Sequence, residues 1–411
     1  MNIYIIGVGM TEFGKMPNMS VKDLTRSAVD GAVQDAGIAK RDIEAAYFAN
    51  TAQGYMEGQV FVPGQIALRA MGFGGIPIIN VENACASGTT ALNLAVQHLA
   101  SGNGDIVLAA SAEKLFHPDK SKMFGIFDSG WDITSVEENK RELLALGHGI
   151  EPPPNTTSDR PYSVFMDVYA AFCRFHMREF GTTQRQIAAV SAKNHGHSVT
   201  NEKAQYRHTF SVEDVLSAPP ISYPLTIPMC APISDGGAAA IVCSEAALKR
   251  LGISRKRAVQ VLASVLQTGV ERDPEDYRRH LTVRAGQKAY ETAGIGPEDI
   301  SLAEVHDATA MGEIIQSENL GFFDFGDGGP AAERGDTTIG GRIPVNTSGG
   351  LESKGHPIAA TGLGQIYELV TQLRGEAGPR QVEKARIALS ENGGGLYGVE
   401  EAVAVVTILA A

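Results

Sequence analysis

The sequence predicts an α/β fold in which one structural unit occurs twice, with a long insertion between the two copies. Short β-branched segments alternate with amphipathic helical segments along the chain, a pattern typical of α/β architecture. Two stretches in the first quarter of the sequence are similar, in the same order, to two stretches near its end. The intervening residues 115–235 differ in character, with the single tryptophan and a Pro-Pro-Pro turn.

Hydrophobic periodicity predicts the individual elements, because strands repeat every two residues and helices every three to four. The predicted strands are Ile3–Ile6, Ile106–Ala110, Ala239–Cys243, Val259–Val265, Ala385–Leu389 and Ala402–Ile408. The predicted helices are Val21–Ala36, Thr89–Ser101, Tyr162–Phe180, Leu281–Ala293 and Ala360–Gly375. We therefore assign residues 1–114 and 236–257 to a first half, 115–235 to an inserted loop domain and 258–411 to a second half.

The internal similarity has two parts. Residues 34–48 and residues 291–305 both read as a helix that ends in Ala-Gly-Ile, followed by a short acidic turn and a strand. Residues 80–92 and residues 346–363 each enter a helix just after a residue with a reactive side chain. Two matches in the same order indicate a duplicated unit rather than a chance resemblance.

Composition excludes several classes of protein. The chain has 35 basic and 47 acidic residues and a net charge of −12, which opposes binding to nucleic acid or to an anionic membrane. Its four cysteines form no CxxC pair, so neither a disulfide scaffold nor a metal site is predicted. The N-terminus lacks the layout of a signal peptide, and no apolar run is long enough to span a membrane. We expect a cytoplasmic protein.

Cys85 is the first candidate catalytic residue. It lies between a strand ending near Val81 and an alanine-rich helix, where unsatisfied N–H groups and the helix dipole favour a thiolate. Its small neighbours leave room for a bulky electrophile. The alternative is a small buried hydrophobic residue, the usual role of a free cysteine. In this setting we favour a nucleophile.

His356 and His306 are the other two candidates. His356 precedes Pro357 and a small-residue helix, so it lies at or just before the helix start. If a pseudo-twofold axis relates the halves, this helix and that of Cys85 begin next to each other, and His356 is the base for the thiol. His306 follows the strand segment Ala303-Glu304-Val305, at the carboxyl end where open α/β sheets bind ligands. The alternative for each histidine is a structural hydrogen bond.

The motifs that contain these residues resemble those of the thiolase superfamily over essentially the whole chain. They are Asn83-Ala84-Cys85-Ala86-Ser87-Gly88, Asn346-Thr347-Ser348-Gly349-Gly350 with Gly355-His356-Pro357, Asn392-Gly393-Gly394-Gly395, and the loop-to-strand segment Pro232-Ile233-Ser234-Asp235-Gly236-Gly237-Ala238-Ala239. His306-Asp307 replaces the Asn-Glu of ordinary thiolases, which resembles the sterol-carrier-protein-type, lipid-transfer-like branch. The resemblance implies a thiolase-like five-layer α/β/α/β/α fold and a homodimer.

Residue by residue, the resemblance implies acyl transfer through a cysteinyl thioester. Cys85 accepts the acyl group, and His356 takes the thiol proton. His306 completes the first oxyanion site. The backbone N–H groups of Cys85 and of Gly393 or Gly394 form the second.

The resemblance also implies coenzyme A as a co-substrate, with no permanently bound cofactor. The family's insertion binds coenzyme A, so residues 115–235 are expected to bind it here. Within them, Lys193, Lys203 and Arg207 stand against the single acid Glu202. We predict that these cations bind the phosphates; an ordinary solvated surface is the alternative.

The chain departs from the family at the acid/base for the substrate α-carbon. Claisen-type thiolases use a second cysteine, either in the last glycine-rich motif or just after the His-Asp pair. The first location reads Glu391-Asn392-Gly393 here, and the second reads Ala308. Glu391, Cys230 and Tyr397 are the candidates to replace the missing thiol.

Two functions are compatible with this pattern. The first is an acyl-CoA C-acyltransferase that cleaves or forms a β-ketoacyl-CoA. The second is a CoA-ester aldolase or lyase, or a non-condensing acyltransferase, working with a small zinc-ribbon/OB-fold partner protein. Met123, Phe124, Phe127, Trp131 and Phe165 are candidates for an acyl pocket or for ordinary core packing.

Overall fold

The computed structural model describes residues 2–411. Eleven strands are present in these residues: β1 Ile3–Met10, β2 Ala45–Ala49, β3 Ile78–Val81, β4 Ile106–Glu113, β5 Pro220–Ser222, β6 Leu225–Thr226, β7 Gly236–Ser244, β8 Val259–Thr268, β9 Leu302–Glu304, β10 Ile387–Gly394 and β11 Val403–Ala410. The six predicted strands correspond to β1, β4, β7, β8, β10 and β11, and the observed strands begin or end up to five residues away from the predicted bounds.

The same part of the chain forms fifteen α-helices. They are α1 Val21–Ala36, α2 Gln53–Glu57, α3 Pro63–Arg69, α4 Ser87–Ala100, α5 Lys120–Gly125, α6 Val136–Ala145, α7 Phe165–Phe180, α8 Gln184–Ser198, α9 Val212–Ser217, α10 Glu245–Arg250, α11 Leu281–Ala293, α12 Ala310–Asn319, α13 Gly328–Arg334, α14 Gly350–Lys354 and α15 Thr361–Leu373. The predicted helices correspond to α1, α4, α7, α11 and α15.

Sheet topology repeats between the two halves. Nine strands form one sheet in the order β3-β2-β4-β7-β1-β8-β11-β10-β9. In the first half β2 is parallel to β4, and the β4–β7 and β7–β1 pairs are antiparallel. In the second half β9 is parallel to β10, and the β10–β11 and β11–β8 pairs are antiparallel. The short antiparallel pairing of Ile3–Ile5 with Val259–Val261 joins the two half-sheets.

Helices cover both outer faces and fill the space between the half-sheets. One apolar cluster joins α1 to the first half-sheet, through residues such as Leu24 and Ile241. A second surrounds α4 and α15 and includes residues of both half-sheets, and a third joins α11 to β10 and β11. These clusters produce the five-layer α/β/α/β/α arrangement of the thiolase fold, with α4 and α15 as the central layer.

The predicted internal similarity appears as matching local geometry. Helix α1 ends at Gly37 and α11 ends at Gly294, both in the left-handed conformation with φ of 66° and 71°. Glycine is favoured there because it lacks the Cβ that makes this conformation costly. A 3₁₀ turn follows each glycine, and then strand β2 or β9.

Residues 115–235 contribute no strand to the large sheet. They contain the five helices α5 to α9 and the two-stranded β5–β6 ribbon. Trp131 stacks on Phe165 with ring centroids 4.7 Å apart, within an apolar cluster that also includes Leu396 from the hairpin between β10 and β11. The insertion therefore packs onto the second half of the fold as well as following the first. Within residues 2–411, no helix has both the length and the apolar character needed to cross a bilayer.

Candidate active site

Cys85 lies in a 3₁₀ turn, Ala84–Ala86, that leads directly into α4. Ala84 adopts a positive φ of 48°, which turns the chain sharply from β3 into the helix. The Ser87 hydroxyl donates to Ala84 O at 2.7 Å and accepts from Asn83 N–H at 2.8 Å, so it holds the turn on both sides. This geometry presents the half-buried cysteine at the start of the central helix.

His356 occupies the corresponding place in the second half. It follows Gly355, whose φ of 113° is readily available only to glycine. Its backbone N–H donates to the Ser234 hydroxyl at 2.9 Å, and a 3₁₀ turn and α15 follow it. The imidazole Nδ1 lies 2.6 Å from the Thr361 hydroxyl. We assign the proton to Nδ1, because the Thr361 hydroxyl donates to Pro357 O and leaves its oxygen free to accept.

Two glycines allow the starts of α4 and α15 to meet. A Cβ on Gly88 would lie 2.6 Å from Ala359 O, and one on Gly362 would lie 3.0 Å from Thr89 N. Any side chain would force these two backbones apart. The expected meeting of the two helix starts is therefore observed, and its cause is close packing of glycine against backbone.

The three predicted catalytic side chains converge on one point. Cys85 Sγ lies 3.4 Å from His356 Nε2, and the rings of His306 and His356 are 5.3 Å apart. The sulfur and one nitrogen of each histidine all lie within 4.8 Å of one another. Because Thr361 fixes Nδ1–H, the unprotonated Nε2 of His356 faces the thiol and is placed to accept its proton.

His306 emerges from β9 and points one free nitrogen into this cluster. Its backbone N–H donates to Glu391 Oε2 at 3.0 Å, which fixes the residue against β10. Its side chain is 6% exposed, and Nε2 has no hydrogen-bond partner among the residues described. A buried donor without a partner is costly unless a ligand satisfies it. This position suits a group that stabilises negative charge on a bound substrate.

The expectation that the helix start makes Cys85 a thiolate is wrong. Burial, and then the negative charges of Glu113 and Glu82, raise the pKa of the thiol to about 12. The backbone N–H groups of Gly395 and Cys85 stabilise the thiolate, but less than burial destabilises it. Cys85 is therefore a thiol at neutral pH, so a nucleophilic role would require a base next to it.

Burial lowers the pKa of the two histidines, whereas it raises the pKa of the cysteine. Desolvation lowers the pKa of His306 to about 4. Desolvation, and then the neighbouring His306, hold the pKa of His356 well below its usual value. Both imidazoles are therefore neutral near pH 7. A neutral His356 can take the proton of Cys85, and the resulting imidazolium lies next to the thiolate that stabilises it.

Glu113 is a site residue that the sequence analysis missed. It ends β4, is fully buried, and accepts backbone N–H groups from Thr51 at 3.1 Å, Ala52 at 3.0 Å and Ala359 at 3.1 Å. It thus ties the loop after β2 to the turn that leads from His356 into α15. Burial raises its pKa to about 7. Only its place near Cys85 in three dimensions reveals this role.

Backbone donors surround the sulfur, although not at the glycines that were predicted. The N–H groups hydrogen-bonded to Cys85 Sγ are those of Gly395 and of Cys85 itself. Gly394 lines the same cavity, where a Cβ would lie 2.7 Å from Ala86 N. A Cβ on Gly393 would meet the Glu401 side chain. The donors to the sulfur are thus the N–H groups of Cys85 and of Gly395, which directly follows β10.

A cavity of about 930 Å³ opens in front of the three catalytic side chains. Its walls are mainly apolar and include aromatic side chains of the insertion. Phe124, Phe127 and Phe165 line it as expected for an acyl pocket, together with Tyr169. Met123 and Trp131 are buried outside the lining. A largely apolar cavity with a few convergent polar groups is typical of a small-molecule site.

The predicted phosphate-binding cluster is not present as proposed. Lys193 is buried, forms an ion pair with Glu313 at 2.5 Å and donates to Val345 O at 2.8 Å, so it cannot reach a phosphate in solvent. Arg207 is exposed, with Nε 3.4 Å from Val199 O, and Lys203 is half-buried. The three residues are close in sequence, but helix α8 turns Lys193 toward the core.

The predicted substitutes for the second cysteine lie in different environments. Cys230 lines the cavity, but its thiol donates to Thr226 O at 3.6 Å. Glu391 is fully buried behind the cavity wall and holds the His306 backbone. Tyr397 is 67% exposed and does not line the cavity. Among the other titratable residues that line the cavity with Cys85 are Tyr169, Glu352 and Glu401.

The chain matches two family models and several curated proteins over most of its length. Residues 3–213 match the thiolase N-terminal domain, and residues 267–409 match the thiolase C-terminal domain-like family. The chain is 38% identical over 398 residues to an acetyl-CoA acetyltransferase of Methanothermobacter thermautotrophicus, with 97% of each chain covered. It is 36% identical to sterol carrier protein 2 of Bos taurus, with 95% of this chain and 69% of that protein covered.

A solved structure, titled Ltp2-ChsH2(DUF35) aldolase, has the same fold. It superimposes with a TM-score of 0.78 at 24% sequence identity, and the match covers 100% of this chain and 98% of the other. The two family matches and the relatives above identify the chain as a member of the thiolase family, similar to the sterol-carrier-protein type, as the motifs predicted.

Proposed function

We propose that this protein is a thiolase-like acyl-CoA C-acyltransferase that works through a thioester on Cys85. The observation that carries the proposal is the 3.4 Å contact between Cys85 Sγ and His356 Nε2, beside the unpartnered Nε2 of His306. A thiol, a base and an anion-stabilising donor at the end of one cavity are the groups that acyl transfer needs. The names of several relatives support the same chemistry.

In the cleaving direction, His356 Nε2 takes the proton of Cys85 as the sulfur attacks the β-keto carbon of a β-ketoacyl-CoA. The carbonyl electrons move to oxygen, and we assign stabilisation of this oxyanion to the N–H groups of Cys85 and Gly395, which hydrogen-bond to the sulfur before it attacks. The Cα–Cβ bond then breaks, and its electron pair forms an enolate of the shorter CoA ester. The enolate takes a proton at its α-carbon, and coenzyme A gives up its thiol proton in the second half-reaction, so the two transfers balance. The coenzyme A sulfur attacks the Cys85 thioester, the Cys85 thiolate leaves, and His356 returns the proton to it.

Intact-protein mass spectrometry tests this proposal directly. We expect a covalent acyl adduct after addition of an acyl-CoA or β-ketoacyl-CoA, and none with Cys85→Ala. Cys173→Ala is the matched control, because Cys173 is fully buried outside the cavity. If no adduct formed with short, branched, long or aromatic acyl-CoA esters, a mechanism through a Cys85 thioester would be excluded.

The alternative is a CoA-ester aldolase or lyase that works with a small zinc-ribbon/OB-fold protein. It is favoured by the absence of a cysteine at both locations where the family resemblance expects the second thiol, which read Glu391-Asn392-Gly393 and Ala308. An aldehyde or ketone product released without free coenzyme A, and without a Cys85 adduct, would favour this reaction over acyl transfer. Co-purification of such a partner would support it further.

We also infer a homodimer with coenzyme A as a co-substrate and no resident cofactor. Strand β3 lies at one edge of the sheet. Near it, large apolar side chains are exposed: Val60, Phe61, Val62, Ile66 and Ile79. An apolar patch beside an open strand edge suits a partner subunit. Light scattering on the purified protein tests this, and a monomeric mass at micromolar concentration would contradict it.

A further inference from the structure

We propose that Glu401 is the catalytic acid/base for the substrate α-carbon, in place of the second cysteine of Claisen-type thiolases. The inference rests on the proposed function, because it assigns the proton transfer that carbon–carbon bond chemistry requires. Glu401 is not one of the candidates that the sequence analysis named, and it lies outside the conserved-looking glycine motif. Its position is a consequence of the long hairpin, residues 395–402, that joins β10 to β11.

The geometry starts from the glycine motif at the end of β10. Gly395 donates its N–H to Cys85 Sγ, and Gly393 lies two residues earlier. The motif thus provides a backbone donor to the sulfur but no side chain at position 393. A Cβ on Gly393 would lie 2.9 Å from Glu401 Cγ and 3.2 Å from Glu401 Oε1. The Glu401 side chain therefore fills the space that a residue at position 393 would occupy.

Glu401 also faces the reaction. It lines the cavity together with Cys85, His306 and His356. Tyr169 lies near both Cys85 and Glu401: burial raises the pKa of its phenol above the usual range, and these two groups raise it further. Glu401 thus belongs to the wall of the cavity that also contains the nucleophile.

Neutral groups hold the Glu401 carboxyl. Gln316 Nε2 donates to Oε1 at 3.0 Å, and His280 Nε2 lies 3.6 Å from Oε2. The backbone N–H of Thr282 and the amide of Asn319 both donate to His280 Nδ1, so the His280 proton is on Nε2 and the ring is neutral. The nearby cation, Arg272, is paired with Glu400 at 2.8 Å. A carboxyl held by neutral donors can gain and lose a proton without breaking an ion pair.

Its proton affinity suits this role. Burial raises the pKa of Glu401 to about 7, with a further increase from Glu400 and partial compensation from Arg272 and Gln316. An acid/base whose pKa lies near the working pH is present in both forms. Glu391, the other buried carboxyl on this side of β10, has its pKa held well above the usual range by burial and by the charge of Glu401. Glu391 is therefore protonated, and its Oε2 accepts a hydrogen bond from the His306 backbone N–H.

Two other polar residues of the cavity, Cys230 and Glu352, are less suited to this role. The Cys230 thiol is turned to a backbone carbonyl, as described above. Glu352 accepts from Asn194 Nδ2 at 2.9 Å within a buried group that also contains Asp307 and Glu313. That group already carries several acidic side chains, with Lys193 as the cation paired to Glu313. Glu401 combines a place in the cavity wall, neutral donors and contact with Gly393, the last residue of the segment where the family resemblance expects the second thiol.

The proton balance closes with this assignment. When the Cα–Cβ bond breaks, the protonated carboxyl of Glu401 gives its proton to the α-carbon of the enolate and becomes a carboxylate. In the second half-reaction the carboxylate takes the thiol proton of coenzyme A, whose sulfur attacks the Cys85 thioester. The net reaction converts a β-ketoacyl-CoA and coenzyme A into two acyl-CoA esters, with Glu401, His356 and Cys85 returned to their starting states.

The experiment measures exchange of the α-protons of acetyl-CoA with solvent deuterium, alongside the Cys85 acyl adduct. We expect Glu401→Gln to reduce the exchange about 100-fold or more while the adduct still forms. Acylation of Cys85 by acetyl-CoA releases coenzyme A as a thiolate, and this step needs no acid. Exchange of an α-proton, in contrast, needs the Glu401 carboxylate to remove that proton. Glu401→Asp should restore part of the exchange. Tyr397→Phe, in the same hairpin but exposed, is the matched control and should exchange like the unmodified protein.

The outcomes separate this proposal from the proposed function. Absence of an adduct in the unmodified protein would reject the thioester mechanism itself. An adduct in the unmodified protein together with undiminished exchange in Glu401→Gln would overturn the role of Glu401, as would loss of exchange in Glu352→Gln alone. If Glu401→Gln forms no adduct because it misfolds, Glu401→Asp decides, since its exchange should fall more than its adduct yield.

Discussion

Cys85 Sγ lies 3.4 Å from His356 Nε2, although 271 residues separate the two in the chain. Each residue stands at the start of a central helix, and the two helices begin against each other at Gly88 and Gly362. Burial keeps the cysteine as a thiol and the histidine neutral. The pair is therefore uncharged at rest, and charge develops only during attack on a substrate. Four predictions follow from this arrangement, beyond the tests given above.

Thr361→Val should slow acylation of Cys85 by about 10-fold, because the variant removes the acceptor that fixes the His356 tautomer. Thr361→Ser keeps a hydroxyl at the same place and should retain most of the rate. Rapid-quench measurement of the acyl adduct gives this rate. Equal rates for the valine and serine variants would contradict the assigned proton on Nδ1.

His306→Ala should lower kcat by about 10²–10³ with little change in KM, because an oxyanion donor acts mainly in the transition state. The structural reason is that one ring nitrogen of His306 lies within 4.8 Å of the Cys85 sulfur and of a His356 nitrogen, and that Nε2 of His306 has no partner among the described residues. Steady-state kinetics with a β-ketoacyl-CoA measure the effect. A rise in KM at unchanged kcat would instead indicate that His306 only binds the ground state.

Gly362→Ala should destabilise the fold by about 1–3 kcal/mol and impair catalysis, because the added methyl would lie 2.6 Å from Thr89 Cγ2 and 3.0 Å from Thr89 N. Gly31→Ala is the matched control in a helix, since a Cβ there meets only Gly9 Cα at an ordinary 3.5 Å. Urea unfolding of both variants tests the difference. Comparable stability of the two would show that the helix starts can separate without cost.

Glu113→Gln should speed alkylation of Cys85 by iodoacetamide above about pH 7, because the variant removes a negative charge that raises the thiol pKa. The pKa of Glu113 is itself about 7. Below that pH the carboxyl of the unmodified protein is already protonated, so the two rates should converge. The alkylation rate between pH 6 and 9 provides the measurement, and a constant ratio of rates over this range would contradict the electrostatic role.

Much of the fold was predictable from local patterns. Helices α1 and α11 were predicted with their observed bounds, because apolar spacing and a glycine C-cap are local signals. The short strands β2, β3 and β9 were not listed among the predicted strands, since three to five residues carry too little periodicity. The duplicated unit was visible because the same local signals recur in the same order.

The site was only partly predictable, and the reason is the same in each case. Cys85, His306 and His356 lie in motifs with distinctive small-residue neighbours, so their types and positions indicated catalysis. Glu113 and Glu401 lie in ordinary sequence and gain their importance from burial and from neighbours that are distant in the chain. Lys193 shows the converse. It belongs to a basic cluster in the sequence, but in the structure it is buried and forms an ion pair with Glu313.

The amino-acid sequence by itself determined the α/β class, the duplication and the choice of one cysteine and two histidines as candidate catalytic residues. These features depend on short-range periodicity and on residue type. Only the tertiary structure decided the protonation states, the donors to the sulfur and which carboxyls line the cavity. Those depend on desolvation and on distances between segments that fold together from far apart, and neither quantity can be read from residues that are adjacent in the chain.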